Sequence, residues 1–272
     1  MKNDPRDKNG KKLINALYKL GRDEKIRIRL INFLKDLEQN LSYNGSKREE
    51  IVGPIVDALH GDDDTYEKLL SDGTKVKFFF RTKIARDFLL STLNKPSHVW
   101  EPQTTKLLLY LAENLNDDIL IGGAYFGDHA LLVAKIINAR DSVVHCFEPN
   151  LEQNNMLHEN KKINDLRNIK LNKLGLWSHS DKNLKLMGFD SFANSVLAPD
   201  SDDGFKTITI DDYCLIEKKR LGLIQLDIEG SELKALEGAK NTIKSDKPAI
   251  VFEIHNDYVD WSDGLENTPV CE

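Results

Sequence analysis

Four polar residues stand where an apolar run would need none. Leu223-Ile224-Gln225-Leu226 reads as a buried strand and ends in Asp227-Ile228-Glu229, with Gly230 opening the next helix. Ala249-Ile250-Val251-Phe252 repeats the arrangement and ends in Glu253-Ile254-His255. If strand geometry persists, residues two apart point to the same side. Three carboxylates and an imidazole at neighbouring strand ends can take a proton from a hydroxyl, so Asp227, Glu229, Glu253 and His255 are the general-base candidates. The same oxygen-rich set offers an alternative, a divalent metal held by Asp227, Glu253 and His255. The plainer explanation is N-capping by Glu229 or Ser231, with the remaining groups in solvent.

A second chemical signal lies upstream. Ile119-Leu120-Ile121 runs into Gly122-Gly123-Ala124-Tyr125-Phe126-Gly127-Asp128, and an apolar helical segment follows from Ala130 to Ile137. Glycines there let the backbone adopt positive φ and approach a ligand closely. The N–H groups of a helix start favour an anionic or strongly polar group. The next apolar run, Val143 to Phe147, ends in Glu148, about 20 residues on, where nucleotide-binding βαβ units hold ribose hydroxyls. Gly123-x-x-x-Gly127 lacks the three-glycine pyrophosphate turn, which disfavours a nicotinamide-dependent reductase.

The elements that must position these residues alternate. Strands are expected at 119–122, 143–148, 168–174, 221–227 and 248–254, with helices at 128–138, 150–163 and 231–244. A helix from Thr105 to Leu115, with Pro102 in its first turn, leads into the first of these strands. Such alternation implies an α/β fold with a doubly wound, mostly parallel sheet, whose ligands bind beyond the C-terminal strand ends. The segment 178–206, rich in Ser, Asp and Gly, reads as a specificity loop.

Upstream the pattern differs. Leu13, Ile14, Leu17 and Leu20 mark one helix, and Ile26, Leu30, Phe33, Leu34, Leu37 and Leu41 form the stripe of a second. Ser46 with Glu49 suggests a capping box for a third, interrupted at Gly53-Pro54. Tyr66–Leu70 and Lys75–Phe80 flank an Asp72-Gly73 turn and read as a β-hairpin, followed by a helix around Ile84 to Leu90. The expected organisation is therefore a helical region at 1–62, a hairpin and connecting helix at 63–96, and the main α/β domain at 97–272.

Composition narrows the partners. Residues 1–60 carry 13 Lys and Arg against nine Asp and Glu, a surplus of +4, so the remainder carries −10 of the net −6. No aromatic-studded basic groove accompanies that surplus, so nucleic acid is not expected as a partner. No apolar run could span a bilayer and no signal-type core follows Met1, so a cytoplasmic protein is expected. Cys146, Cys214 and Cys271 form no close pair, which argues against a disulfide framework or zinc knuckle.

Several stretches in order carry a resemblance. They are Gly123-Ala124-x-x-Gly127-Asp128, Phe147-Glu148-Pro149-Asn150, Thr209-Ile210-Asp211-Asp212-Tyr213, Asp227-Ile228-Glu229-Gly230-Ser231-Glu232, Glu237-Gly238-Ala239 and Val251-Phe252-Glu253. Over residues 97–262 the chain resembles the FkbM family of S-adenosylmethionine-dependent methyltransferases, with a Rossmann-like class I fold. The resemblance implies that the turn Gly123, Ala124, Tyr125, Phe126, Gly127 and Asp128 passes under the methionine part of the cofactor. It implies that Glu148, with Pro149 and Asn150, serves the ribose, and that Leu174, Gly175 and Leu176 border the adenine. Asp227 would lie beside the sulfonium, and Glu101 would hold the cofactor's amino group. Ile121 and Tyr125 depart from the pattern, where the family usually has Asp and Asn. A class I sheet has seven strands and this chain supplies five, so the C-terminal strand hairpin is expected to be missing, through truncation or with the hairpin at 66–80 covering the open edge.

The implied activity is O-methyl transfer to a hydroxyl of a small-molecule acceptor, a glycan or natural product. Asp227 and Glu253 lead as base and His255 is the alternative. The rival is a non-catalytic cofactor-binding or assembly subunit, consistent with the altered turn and the helical head. Either the N-terminal helices or the open sheet edge could pair two copies into a homo-oligomer.

Overall fold

A computed structural model describes residues 5–91, 94–98, 100–187, 194–197, 204–255, 260, 262 and 264–271. The chain forms two compact units, residues 1–73 with 77–100, and 74–76 with 101–272. In the first, helix α1 spans Pro5–Gly21 and α2 Glu24–Asn40. Asp23 caps α2 by accepting from the Ile26 N–H at 3.1 Å. Ile31 and Leu34 of α2 pack with Val52, Val56, Leu59, Phe80, Leu89 and Leu90, so the apolar stripe finds its partner within its own unit. Phe33 lies off that stripe and is 58% exposed.

The segment after Asn44-Gly45 begins with a π-helical turn, Arg48–Val52, and continues as α3, Gly53–Ala58. Ser46 Oγ accepts from Glu49 N–H, but Glu50, not Glu49, returns its carboxylate to Ser46 N–H at 3.0 Å. The wider π turn moves the return partner one residue along. Strands β1 (Thr65–Leu69) and β2 (Lys75–Phe79) form a two-stranded sheet, with Gly73 at φ 84° in the turn. Helix α4, Lys83–Leu90, is capped by Thr82, and buried Lys68 donates to the Phe88 and Ser91 carbonyls at its end.

The second unit begins with α5 (Pro102–Asn114), β3 (Asp118–Gly122), α6 (Ala130–Ile137), β4 (Val144–Phe147), α7 (Leu151–Ile163) and β5 (Ile169–Asn172). It continues with β6 (Gly175–Leu176), β7 (Asn183–Met187), β8 (Asn194–Leu197), β9 (Phe205–Ile208), α8 (Ile210–Glu217), β10 (Leu221–Leu226), α9 (Glu232–Glu237), α10 (Lys240–Asp246) and β11 (Ala249–Phe252). The main sheet has the order β11-β10-β3-β4-β5, with every neighbouring pair parallel. This is a doubly wound Rossmann-like sheet, and the winding reverses between β3 and β10. Strands β3, β4 and β10 are buried along their whole length, which explains their continuous apolar sequences. Beneath them Leu120, Phe147, Leu176, Ile210, Tyr213, Ile224 and Leu226 share one core. Each fully buried Leu or Phe there contributes roughly 1.5–3 kcal/mol.

Two expectations need correction. The single helix at 231–244 is two, α9 and α10. At Gly238 an added Cβ would lie 2.3 Å from the Trp177 carbonyl oxygen, and Asp211 N–H takes the Gly238 carbonyl at 2.9 Å. Asp211 then caps α10, accepting from Asn241 N–H, Thr242 N–H and the Thr242 hydroxyl. The segment 178–206 is not simply a loop. Strands β7, β8 and β9 join β6 in a second sheet of order β6-β9-β7-β8, while 188–193 and 198–203 lie outside the described residues.

Among the described residues no further strand joins the main sheet beyond β11, and β1–β2 form a sheet of their own. Of the expected loop at 261–267, Trp261 and Asp263 lie outside the described residues. No helix among the described residues is long and apolar enough to cross a membrane.

Candidate functional site

Register brings the site together. Gly122 pairs with both Phe147 and Leu226, and Leu226 pairs with Phe252. The next residue on each strand is therefore Glu148, Gly123, Asp227 and Glu253, aligned across four neighbouring strand ends. The row sits at the switch point, where an open α/β sheet leaves its ligand crevice.

The glycine turn is shaped by its neighbours. Gly123 N–H and Ala124 N–H both donate to the Phe147 carbonyl, and Asp227 N–H donates to Gly122 O at 3.1 Å. Gly123 has φ 74°, and a Cβ there would lie 1.7 Å from the Asp227 carbonyl oxygen. Only glycine lets the two strand ends approach so closely. Gly127, at φ 96°, would likewise push a Cβ to 2.4 Å from Leu157 Cδ1. Tyr125 also adopts positive φ, 46°. Its N–H donates to Glu148 Oε2 at 2.9 Å, while Glu148 Oε1 accepts from Asn150 N–H at 2.8 Å. Glu148 thus ties the two βα loops together.

The acids gather as the spacing suggested, by a different route. Strand β10 stops at Leu226, and Glu229 turns back at φ 52°. Carboxylate oxygens of Asp227, Glu229 and Glu253 nonetheless lie within 4.8 Å of one another. Glu229 is not the helix cap: Glu232 Oε1 takes the Ile228 N–H at 2.8 Å, and Ser231 makes no side-chain cap bond to α9. Asp227 is half-buried and hydrogen-bonded to Glu253. Burial first, then the Glu253 charge and that hydrogen bond, then Glu101 and Glu229, hold its carboxyl well above the usual range. Of the expected metal ligands, Asp227 and Glu253 join this group of three with Glu229, and His255 is not a member of it.

Glu101 precedes α5 with φ 34° and ψ 68°, a left-handed conformation unusual for a side chain of its kind. Burial raises its carboxyl; His129 opposes that, Asp128 and Glu253 add to it, and the Thr104 side chain lowers it. Asp128 is buried, and desolvation raises its carboxyl against the pull of His129 and of backbone N–H groups. His129 belongs to this corner although no sequence pattern singled it out. Its Nε2 lies 3.1 Å from Thr105 Oγ1, a partner 24 positions upstream.

The remaining expected residues have mixed placements. Ala124 and Phe126 are core residues, and the Phe126 carbonyl is held by Asn160 Nδ2 at 2.8 Å. Asn150 caps α7, its Oδ1 accepting from Glu152 and Gln153 N–H, and Pro149 is the half-buried link between it and Glu148. Leu174 packs against the core beneath the sheet. Gly175 lets β6 approach Phe205, whose ring would be 2.4 Å from an added Cβ. Ile121 is buried in β3.

Residues 122–266 match the methyltransferase FkbM domain. Among solved structures, the crystal structure of methyltransferase FkbM from Methylobacillus flagellatus KT is 19% identical with a TM-score of 0.39, over 63% of this chain and 44% of that one. The SAM-dependent methyltransferase from Agrobacterium tumefaciens is 14% identical with a TM-score of 0.30, over 43% of this chain and 34% of that one. The chain thus spans less than half the length of either structure. No curated protein sequence matches it. The matched domain occupies more than half of the 272 residues, and the chain belongs to the methyltransferase FkbM family.

Proposed function

We propose that the protein transfers a methyl group from S-adenosylmethionine to a hydroxyl of a glycan or natural-product acceptor. The observation that carries this reading is the Asp227–Glu253 carboxyl pair, in one row with Glu148 and Gly123 at the switch point of the sheet. The residues present fit the cofactor. Glu148 stands where its carboxylate, which already accepts from the Tyr125 and Asn150 N–H groups, matches ribose hydroxyls, and the acids match a sulfonium and an ammonium. When bound, the cofactor supplies an electrophilic methyl group. The chain's own part is to orient and to accept a proton. Glu101 holds the ammonium, Glu148 the ribose, and Asp227 with Glu229 the cationic centre. Two carboxyls in hydrogen-bond contact share one proton, so the ionised oxygen of the Asp227–Glu253 pair takes the acceptor's hydroxyl proton.

Calorimetric titration with S-adenosylmethionine, S-adenosylhomocysteine and NADH tests the reading. Saturable binding of the first two alone supports it and licenses a screen of sugar acceptors. Absence of binding to both would replace it with a non-catalytic assembly role.

A further inference from the structure

His129 is buried, 6% exposed, and both ring nitrogens are engaged. Nε2 meets Thr105 Oγ1 at 3.1 Å and Nδ1 meets Asp128 Oδ2 at 3.5 Å. Thr105 stands one helical turn beyond Glu101 on α5, is itself buried, and its N–H donates to the Glu101 carbonyl at 2.9 Å. Glu101 holds a left-handed backbone that persists only where the surroundings impose it. The contact of His129 with Thr105 ties this turn to the turn before α6.

We propose that His129 is a positioning residue of the cofactor site: clamped between Thr105 and Asp128, it fixes the first turn of α5 and presents the Glu101 carboxylate to the strand ends that carry Asp227 and Glu253. The inference rests on the cofactor reading above for its ligand, and on geometry alone for the clamp.

Charge gives the clamp a second role. The groups facing Glu101 are His129 and Asp128 from the turn before α6, Glu253 from the end of β11, Asp227 from the end of β10, and Thr104 on its own helix. In that acidic company His129 lowers the Glu101 carboxyl against Asp128 and Glu253, and so favours the ionised form that can take up an ammonium.

The test uses the full chain carrying His129→Ala and, separately, Thr105→Val, which removes one hydroxyl at constant shape. The first readout needs no ligand: carbon NMR titration of the side-chain carboxyls, with Glu101 assigned through Glu101→Gln. The Glu101 midpoint should rise in both variants. The second is calorimetric binding of S-adenosylhomocysteine, expected to weaken roughly five- to thirtyfold in His129→Ala. That loss should vanish in a Glu101→Gln background, because the clamp acts through Glu101. An unmoved Glu101 titration in the variants that fold, or an equal binding loss in the Glu101→Gln background, would overturn the proposal. If His129→Ala does not fold, Thr105→Val decides it. If the parent chain binds no S-adenosylhomocysteine, the cofactor reading fails, and the titration still judges the clamp by itself.

Discussion

Replacing Asp227 by asparagine tests the carboxyl pair at the centre of the site. Oxygens of Asp227, Glu229 and Glu253 lie within 4.8 Å of one another. At an effective dielectric of about 20, two charges at that separation repel by about 3.5 kcal/mol, so full ionisation of the three would cost about 10 kcal/mol. That rivals the net stability of a whole domain. The cluster therefore keeps a proton, which the Asp227–Glu253 pair shares. A carboxyl whose folded pKa lies above its unfolded value lets the folded state hold a proton that the unfolded chain has released. Stability is then greatest below the ordinary carboxylate range and falls as pH rises through it toward the raised value. Asparagine has nearly the same shape, stays neutral, and can donate an amide hydrogen to Glu253. Asp227→Asn should thus stabilise the protein by about 2–3 kcal/mol at pH 8, or about 4–12 °C in Tm, and hardly at all at pH 4. Turnover should fall by about a hundredfold or more. Thermal melts of both proteins from pH 4 to 9, beside an activity assay, measure all of this. Parallel melting curves across that range, or wild-type turnover, would refute the reasoning.

Three further outcomes follow from single residues. Gly123→Ala places a Cβ 1.7 Å from the Asp227 carbonyl in a backbone region costly for alanine. It should lose about 2–4 kcal/mol in denaturant melts and abolish S-adenosylhomocysteine binding. Asp118 accepts from Val143 N–H and sits 2.9 Å from His145 Nε2 and 3.6 Å from Lys219 Nζ. Burial pushes its carboxyl up, but His145, the Val143 N–H and Lys219 outweigh that and hold it below its usual value. Its contribution is therefore present above the ordinary carboxylate pKa and lost as pH falls through the lowered one, so Asp118→Asn should cost about 2 kcal/mol at pH 7 and progressively less in acid. A strong chelator should leave cofactor affinity unchanged, since a shared proton already relieves the Asp227–Glu253 repulsion; loss of binding on chelation would favour a bound cation instead.

Strands β3, β4 and β10 were legible because burial on both faces gives them mostly apolar sequences, each followed by a polar residue or glycine. The second sheet was not. Its β7 alternation, Leu184 and Leu186 either side of Lys185, is short and embedded among Ser, Asp and Gly. The break between α9 and α10 was equally hidden, since the residue that caps α10 is Asp211, 30 positions before Asn241. The helical stripe of α2 announced a need for a partner, but only packing revealed Val52, Val56, Phe80 and Leu89 as the surface that meets it.

For the site, local patterns determined which residues end the strands: Gly123, Glu148, Asp227 and Glu253 are all readable as terminators of apolar runs. Tertiary structure alone decided which ends meet. Parallel strands are joined by long crossovers, so their relative register is set by packing of the sheet and its helices rather than by neighbouring residues. That register put Glu148, Gly123, Asp227 and Glu253 in one row. A left-handed turn, invisible as strand periodicity, carried Glu229 to the same carboxyl group and left His255 outside it. The Thr105–His129 tie joins residues 24 positions apart on elements whose docking no local rule specifies, so it emerged only once α5 and the turn before α6 were in place.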